Sequence, residues 1–210
     1  MLKIMKLKLT TKTTKMKKII LSVVAVLAFG FTNAQDKKEV KNSHAVKFGI
    51  KGGANYDWLG TGDMSVYNLR PEVGYHAGLV AEFRLSDRFS IQPEALYSVH
   101  NFNDNGNGNE DYKSEISKIA VPVLGKYYFT KGLSLEVGPQ VSYIIKADSE
   151  GVDFKDELRS YDIAAVSGLA YDFNMGLFIQ ARYFYNFLDL GNDFKGNNHY
   201  GLQASLGYKF

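Results

Sequence analysis

The chain has 210 residues, 25 basic and 22 acidic side chains, and no cysteine. The lack of cysteine excludes a disulfide framework, a thiolate metal site and a lipidated N-terminal cysteine. Seven of the lysines fall within the first 34 residues, which hold no acid, so the remainder has 18 basic against 22 acidic residues and nothing points to nucleic acid.

Residues 1–34 read as a cleavable secretory signal peptide. A lysine-rich stretch precedes the apolar run Ile19 to Phe31, and Thr32-Asn33-Ala34 precedes Gln35 as a small-residue cleavage site. A run of 13 residues is too short for a transmembrane helix. Met16, followed by Lys17 and Lys18, offers a second translation start. Residues 35–45 are polar and charged and read as a periplasmic tether, which leaves 46–210 as one domain.

From Val46 onward the dominant signal is alternation with period two, the mark of strands with one apolar face. The first predicted strand, 46–56, sets Phe48, Ile50, Ala54 and Tyr56 against Lys47, Gly49, Lys51, Gly53 and Asn55. A loop over 57–71 leads to the second, 72–84, with Val73, Tyr75, Ala77, Leu79, Ala81 and Phe83 opposite Gly74, His76, Val80, Glu82 and Arg84. After a four-residue turn, the third strand, 89–100, points Phe89, Ile91, Pro93, Ala95, Tyr97 and Val99 outward, with Gln92, Glu94, Ser98 and His100 opposite. The Asn/Gly-rich stretch 101–114 reads as loop.

The fourth strand, 115–129, alternates Ile119, Val121, Val123, Tyr127 and Phe129 with Lys118, Ala120, Pro122, Leu124, Lys126 and Tyr128. The fifth, 133–146, sets Leu135, Val137, Pro139, Val141, Tyr143 and Ile145 against Glu136, Gly138, Gln140, Ser142 and Lys146. An acidic loop over 147–159 precedes the sixth strand, 160–171, and a short turn at 172–175 leads to the seventh, 176–187. A loop over 188–197 ends at the last strand, 199–210, where Tyr200, Leu202, Ala204, Leu206, Tyr208 and Phe210 share one face.

Eight strands joined alternately by long and short connections predict an all-β, eight-stranded antiparallel up-and-down transmembrane β-barrel. Short turns and both mature termini then lie in the periplasm, and four longer loops lie outside the cell. Pro93, Pro122 and Pro139 fall inside strands, where β-bulges would absorb them. A soluble eight-stranded ligand-binding barrel would reverse the faces, apolar inside and polar outside. Here the wholly apolar face has to meet lipid, and the charged face lies inside.

The stretches 48–55 (Phe-Gly-Ile-Lys-Gly-Gly-Ala-Asn), 92–98 (Gln-Pro-Glu-Ala-Leu-Tyr-Ser), 121–128 (Val-Pro-Val-Leu-Gly-Lys-Tyr-Tyr), 136–140 (Glu-Val-Gly-Pro-Gln), 181–183 (Ala-Arg-Tyr) and 207–210 (Gly-Tyr-Lys-Phe) carry a resemblance. In this order they resemble the porin-family, PorT-like outer-membrane β-barrel proteins of Bacteroidota-type bacteria. The resemblance spans residues 46–210 and implies an outer-membrane location and an eight-stranded barrel. It names a fold rather than an activity.

The inward face carries Lys51, Glu82, Arg84, Glu94, Lys118, Lys126, Glu136 and Arg182. Eight strands leave only enough interior for side chains, so these charges are expected to pair and fill the lumen, with Glu94, Glu136 and Arg182 at the centre. The alternative is a narrow channel for ions or very small solutes. Aromatics at strand ends read as two interfacial girdles: Tyr56, Trp58, Tyr97, Tyr143, Tyr161, Tyr185 and Phe187 at the long-loop end, and Phe83, Phe89, Phe129, Phe173 and Phe210 at the short-turn end.

No catalytic, cofactor-binding or metal-ligand spacing stands out. Ser98 and His100 share a strand face, which keeps a surface lipid- or peptide-modifying enzyme as a third reading, but the pattern supplies them no acid. His100 and His199 are expected near the outer rim as interfacial side chains, and His44 lies in the tether. The acidic loop reads as a solvated charged loop rather than a cation site. The expected partners are outer-membrane lipid, the barrel-assembly machinery acting on the strand that ends in Phe210, and an unidentified extracellular ligand at the loops. No cofactor is expected.

Overall fold

The computed structural model describes residues 46–60, 69–105, 111–149, 152–153, 155, 160–187 and 198–210. The signal peptide and tether expected over 1–45 lie outside the described residues. The strands in chain order are β1 (Val46–Gly60), β2 (Leu69–Pro71), β3 (Val73–Arg84), β4 (Phe89–Asn105) and β5 (Asp111–Tyr128). Then follow β6 (Leu133–Ser149), β7 (Val152–Asp153), β8 (Tyr161–Asp172), β9 (Leu177–Asn186) and β10 (Asn198–Lys209).

Eight of these form a closed antiparallel ring. From β1 the order runs β3, β4, β5, β6, β8, β9 and β10, and β10 pairs back onto β1 from Gly49↔Lys209 to Gly60↔Asn198. Closure removes the edges that an open sheet would leave unpaired. β2 and β7 are short additions, pairing with β4 and β6 beyond the ring.

Period-two alternation decides what each face meets. Ile50, Leu79, Val137, Leu169, Leu202 and Leu206 all point outward and are exposed, while Lys51, Glu82, Glu136, Arg182 and Gln203 on the alternate positions are buried. An outer wall of this composition is stable only against an apolar medium, because each Å² of apolar surface moved out of water stabilises by about 25 cal/mol. Three positions break the pattern, one of them Lys146, which was expected inside and is exposed beside the register shift on β5–β6. Ala81 and Val99, expected outside, are buried. Val99 pairs with Ser117, beside a register shift, and Ala81 falls in a gap of the β3–β4 ladder.

The prolines correct an expectation. The register shift along β5–β6 lies at Ser117/Lys118, not at a proline. Each proline instead sits at a two-pair gap in one ladder while the register carries through. β3–β4 pairing stops at Val80↔Glu94 and resumes at Phe83↔Ile91 around Pro93. β4–β5 pairing stops at Pro93↔Val123 and resumes at Leu96↔Ala120 around Pro122, and β5–β6 pairing breaks between Pro122↔Gln140 and Gly125↔Val137 around Pro139. A proline lacks one donor, so it removes ladder bonds on one side only, and the other side holds the strand in place.

Three tight hairpins mark one end. Ser86 Oγ accepts from Phe89 N at 3.1 Å, and Thr130 Oγ1 accepts from Leu133 N at 3.0 Å. Gly176, with φ of 90°, supplies the left-handed residue of the third. At the other end the strands run further than their composition suggests. Residues 101–105, read as loop, pair with 111–115. Residues 57–60 extend β1, Leu69–Pro71 adds a strand where Pro71 was expected to end a loop, and Ala147–Ser149 extends β6. A ladder is built from backbone groups, so Asn and Asp can continue it past the point where apolar alternation ends.

Candidate functional site: the filled lumen

Four strands reach the short-turn end with a phenylalanine just after an inward residue: Glu82-Phe83, Tyr128-Phe129, Asp172-Phe173 and Lys209-Phe210. Alternation turns each Phe toward the outer wall and its predecessor into the lumen. There the four predecessors meet. The Tyr128 hydroxyl stands 2.6 Å from both Glu82 Oε1 and Asp172 Oδ2 and shares its single hydrogen between them. Lys209 donates to Asp172 Oδ1 at 2.8 Å and bonds Glu82 Oε2.

The next layer is organised by Arg182. Its Nη1 and Nη2 grip both oxygens of Glu94 at 2.8 and 2.7 Å, and its Nε donates to Glu136 Oε2 at 2.8 Å. Lys51 lies 2.8 Å from Glu94 Oε2 and donates to Gln180, which in turn donates to Glu136 Oε1. Lys126 joins the two layers, 3.2 Å from Glu136 and 3.6 Å from Glu82. The lumen here holds four carboxylates (Glu82, Glu94, Glu136, Asp172) and four cations (Lys51, Lys126, Arg182, Lys209), and all eight carboxylate oxygens have a donor. The bidentate Arg182–Glu94 pair is among the strong forms of such contacts.

Of the residues expected in this network, Lys51, Glu82, Glu94, Lys126, Glu136 and Arg182 meet. Arg84 does not join them. Its side chain is 31% exposed at the short-turn mouth, 3.8 Å from Glu82, with its guanidinium 4.2 Å from the centre of the Tyr128 ring. Lys118 lies apart, paired with Asp162 at 3.0 Å toward the long-loop end. An apolar plug of Leu124, Val166 and Phe184 is buried within the ring.

The long-loop half holds a different cluster. Asp57 Oδ2 bonds His100 Nδ1, and His100 Nε2 lies 2.9 Å from Ser98 Oγ. Ser98 also accepts from Asn55, whose amide oxygen meets His76, which reaches Ser205. His199 stands against His100 and Phe184, with ring centres 5.4 and 5.2 Å away. Asp57 thus supplies the acid that the sequence pattern did not offer to Ser98 and His100. The serine is buried and its Oγ accepts a hydrogen bond from Asn55 Nδ2 at 2.9 Å. His100 and His199, expected as interfacial side chains, are buried in the lumen instead.

Several members of these clusters escaped the sequence reading although the signal was there. Asp57 is in phase with Lys51, Gly53 and Asn55, one step beyond the expected end of the strand. Asp172 is in phase with Asp162 and Ala170, although its sequence neighbourhood, 172–175, reads as a turn. Both are inward because β1 and β8 each run further than expected.

On the outer wall the aromatics gather at the two ends. Tyr56, Trp58 and Tyr200 make contact at one end, with Trp58 and Tyr200 stacked at 6.1 Å, and Tyr185 packs on both Tyr200 and Phe187. Tyr97 lies exposed on the same outer wall, and Tyr143, half-buried, lies under the Lys155 ammonium. At the other end Tyr127–Phe129, Tyr171–Phe173, Tyr208–Phe210 and Phe89–Tyr127 are edge-to-face pairs, and Phe83 is half-buried beside them in sequence register with Ile91.

Residues 33–192 match the family described as "Outer membrane protein beta-barrel domain". The chain belongs to this outer-membrane β-barrel family. No curated protein matches it in sequence. Among solved structures it is similar to surface protein A of Neisseria (NspA), at 16% identity and a TM-score of 0.54, covering 79% of this chain and 99% of that one. It is also similar to Ail of Yersinia pestis, solved with the heparin analogue sucrose octasulfate, at 14% identity, TM-score 0.49, covering 79% and 99%. A third is OprG of Pseudomonas aeruginosa, at 16% identity, TM-score 0.48, covering 82% and 99%. The NspA likeness shows the fold, and membership of the family places the barrel in the outer membrane. The apolar outer wall therefore faces lipid, and the girdles lie where interfaces belong.

Proposed function

We propose that this barrel is a non-enzymatic, closed outer-membrane scaffold that presents its four long loops to partners outside the cell. The observation that carries the reading is the Arg182 bridge. One guanidinium spans Glu94 on β4 and Glu136 on β6 from its place on β9, and all three side chains are fully buried. An aqueous path would need these charges hydrated, whereas here each is satisfied by another side chain. The order of the six sequence stretches supports assignment to the PorT-like, porin-family branch. The signal peptide and tether over 1–45 complete the reading as an exported protein with periplasmic termini. The closing strand β10, with its outward Tyr208 and the Phe210 that follows it, is the segment that the assembly machinery would engage.

The test is conductance of the folded protein in planar bilayers, with heat-modifiable gel migration as the folding control. A folded barrel without discrete openings is the expected result. Reproducible openings that change in Lys51→Met or Arg182→Met would overturn the closed reading in favour of a narrow channel.

A further inference from the structure

The carboxylate of Asp57 and the imidazoles of His100 and His199 converge from β1, β4 and β10, and their ligand-type atoms lie within 4.8 Å of one another. All three side chains are buried, Asp57 and His199 almost completely. Buried polar atoms are normally satisfied, yet Asp57 Oδ1 and His199 Nε2 have no hydrogen-bond partner. They face each other across 3.9 Å. That is too long for a hydrogen bond. It suits two atoms bound to one ion, since ligand nitrogen and oxygen each stand about 2.0–2.2 Å from a divalent zinc-type metal.

We propose that Asp57, His100 and His199 form a binding site for a divalent transition-metal ion of the zinc type in the long-loop half of the lumen. Two imidazoles and one carboxylate are a ligand set that such ions accept, with at least one position left open to water or another ligand. A hydrolase-like relay through Ser98, His100 and Asp57 would leave Asp57 Oδ1 and His199 Nε2 idle. The metal site uses both.

The surroundings supply what ligating histidines need. For His199 to bind through Nε2, its Nδ1 has to carry the proton and donate it to an oxygen. The amide of Asn186 lies 2.7 Å from that Nδ1 with its nitrogen foremost, and Asn186 Oδ1 has no partner. A half-turn of the amide brings the idle oxygen onto Nδ1–H and frees the Nε2 lone pair for the ion. His100 binds through Nδ1 by exchanging its bond to Asp57 Oδ2 for the ion, and its Nε2–H then donates to Ser98 Oγ at 2.9 Å. Space is provided as well. A Cβ at Gly201 would stand 2.5 Å from Asp57 Oδ1, so only glycine leaves the carboxylate this position. Phe102 and Phe184 wall the site, with ring centres 5.9 and 5.2 Å from that of His199. The charge nearby is balanced, since Lys118 is neutralised by Asp162.

The experiment is titration of the folded full-length outer-membrane form in detergent, first stripped with chelator, then given Zn²⁺ alone or Co²⁺ alone, with metal content and the Co²⁺ visible spectrum as readouts. One equivalent bound, with a spectrum typical of nitrogen and oxygen ligands, is expected. Asp57→Asn and His199→Gln abolish that equivalent, Asn186→Ala weakens binding by about 10- to 100-fold through loss of the orienting bond, and Glu115→Gln on the exposed rim leaves it unchanged. Should the ligand variants fail to fold, Asn186→Ala and the wild-type Co²⁺ spectrum still decide. Less than a tenth of an equivalent on the folded wild type, or binding that survives His199→Gln, overturns the proposal.

Discussion

The two halves of the lumen use the same residue types to opposite ends. Toward the short turns, Glu82, Glu94, Glu136 and Asp172 offer eight oxygens, and every one receives a donor from a lysine, an arginine, a glutamine or Tyr128. Toward the long loops, Asp57 and Asp162 offer four, and one oxygen of each has no hydrogen-bond partner, as do Asn186 Oδ1 and His199 Nε2. In the first half the cost of burying charge is offset from within the chain. In the second the chain leaves valence over, and leftover valence in a buried place marks a spot where something else is expected. A plug and a binding site can thus be built from one alternating pattern, and they differ in whether the buried carboxylates are fully met. Among the described residues of the short-turn half, the buried side-chain atoms without a hydrogen-bond partner are Ser90 Oγ, Ser134 Oγ and Arg84 Nη1 rather than carboxylate oxygens.

The sharpest way to break this contrast is Arg182→Met. It strips Glu94 of two donors and Glu136 of one in a fully buried setting. Removing one partner of such a cluster costs about 3–5 kcal/mol, because the remaining charges stay buried and unpaired. Thermal unfolding in detergent, followed by heat-modifiable migration, should show that loss or a failure to fold. A change below about 1 kcal/mol would mean that water already reaches the network, and the closed-plug reading would fall.

Next in size is Tyr128→Phe. The hydroxyl serves two carboxylates from one strand, but Lys126 and Lys209 remain beside both. Hydrogen bonds to charged groups contribute about 1.5–3 kcal/mol, and the same melting assay should register a loss at that level. If the short-turn half is as closed as its geometry indicates, the loss is not recovered by adding salt, since a buried pair is little screened.

Gly201→Ala probes the other half. The added carbon would stand 2.5 Å from Asp57 Oδ1, 2.7 Å from Tyr56 O and 2.8 Å from the Phe184 ring, so something has to shift. Overpacking of this kind costs about 1–3 kcal/mol. The melting temperature should fall, and Zn²⁺ binding should fall with it, whereas Tyr128→Phe should leave Zn²⁺ binding untouched. Equal effects of both variants on metal binding would erase the distinction between the halves.

Much of this arrangement was legible in the chain. Alternation from Val46 to Phe210 gave the eight-stranded barrel, its faces and the inward position of Arg182, Glu94 and Glu136, because a period of two has one reading per strand once one side is apolar. What stayed hidden was where alternation keeps its phase without an apolar partner to display it. Asp57, Asp172 and residues 101–105 continue their strands by backbone pairing, which polar side chains neither advertise nor prevent. The meeting of Asp57 with His100 and His199 joins residues 43 and more apart and depends on the closure of β10 onto β1. Spacing along a sequence carries no trace of such a ring.

The smallest expected effect separates the network from its rim. Arg84 was expected inside the charge network and stands at its mouth, with its side chain 31% exposed and 3.8 Å from a glutamate that Lys126, Tyr128 and Lys209 already satisfy. An exposed pair of this kind is worth about 0–1 kcal/mol, and the stacking on Tyr128 adds a similar amount at most. Arg84→Ala should therefore change the melting transition by about 1 kcal/mol or less, and any change should shrink in high salt. A loss approaching that of Arg182→Met would extend the closed network out to the membrane surface. It would also mean that the Glu82, Tyr128, Asp172 and Lys209 ring depends on a fifth member for its charge balance.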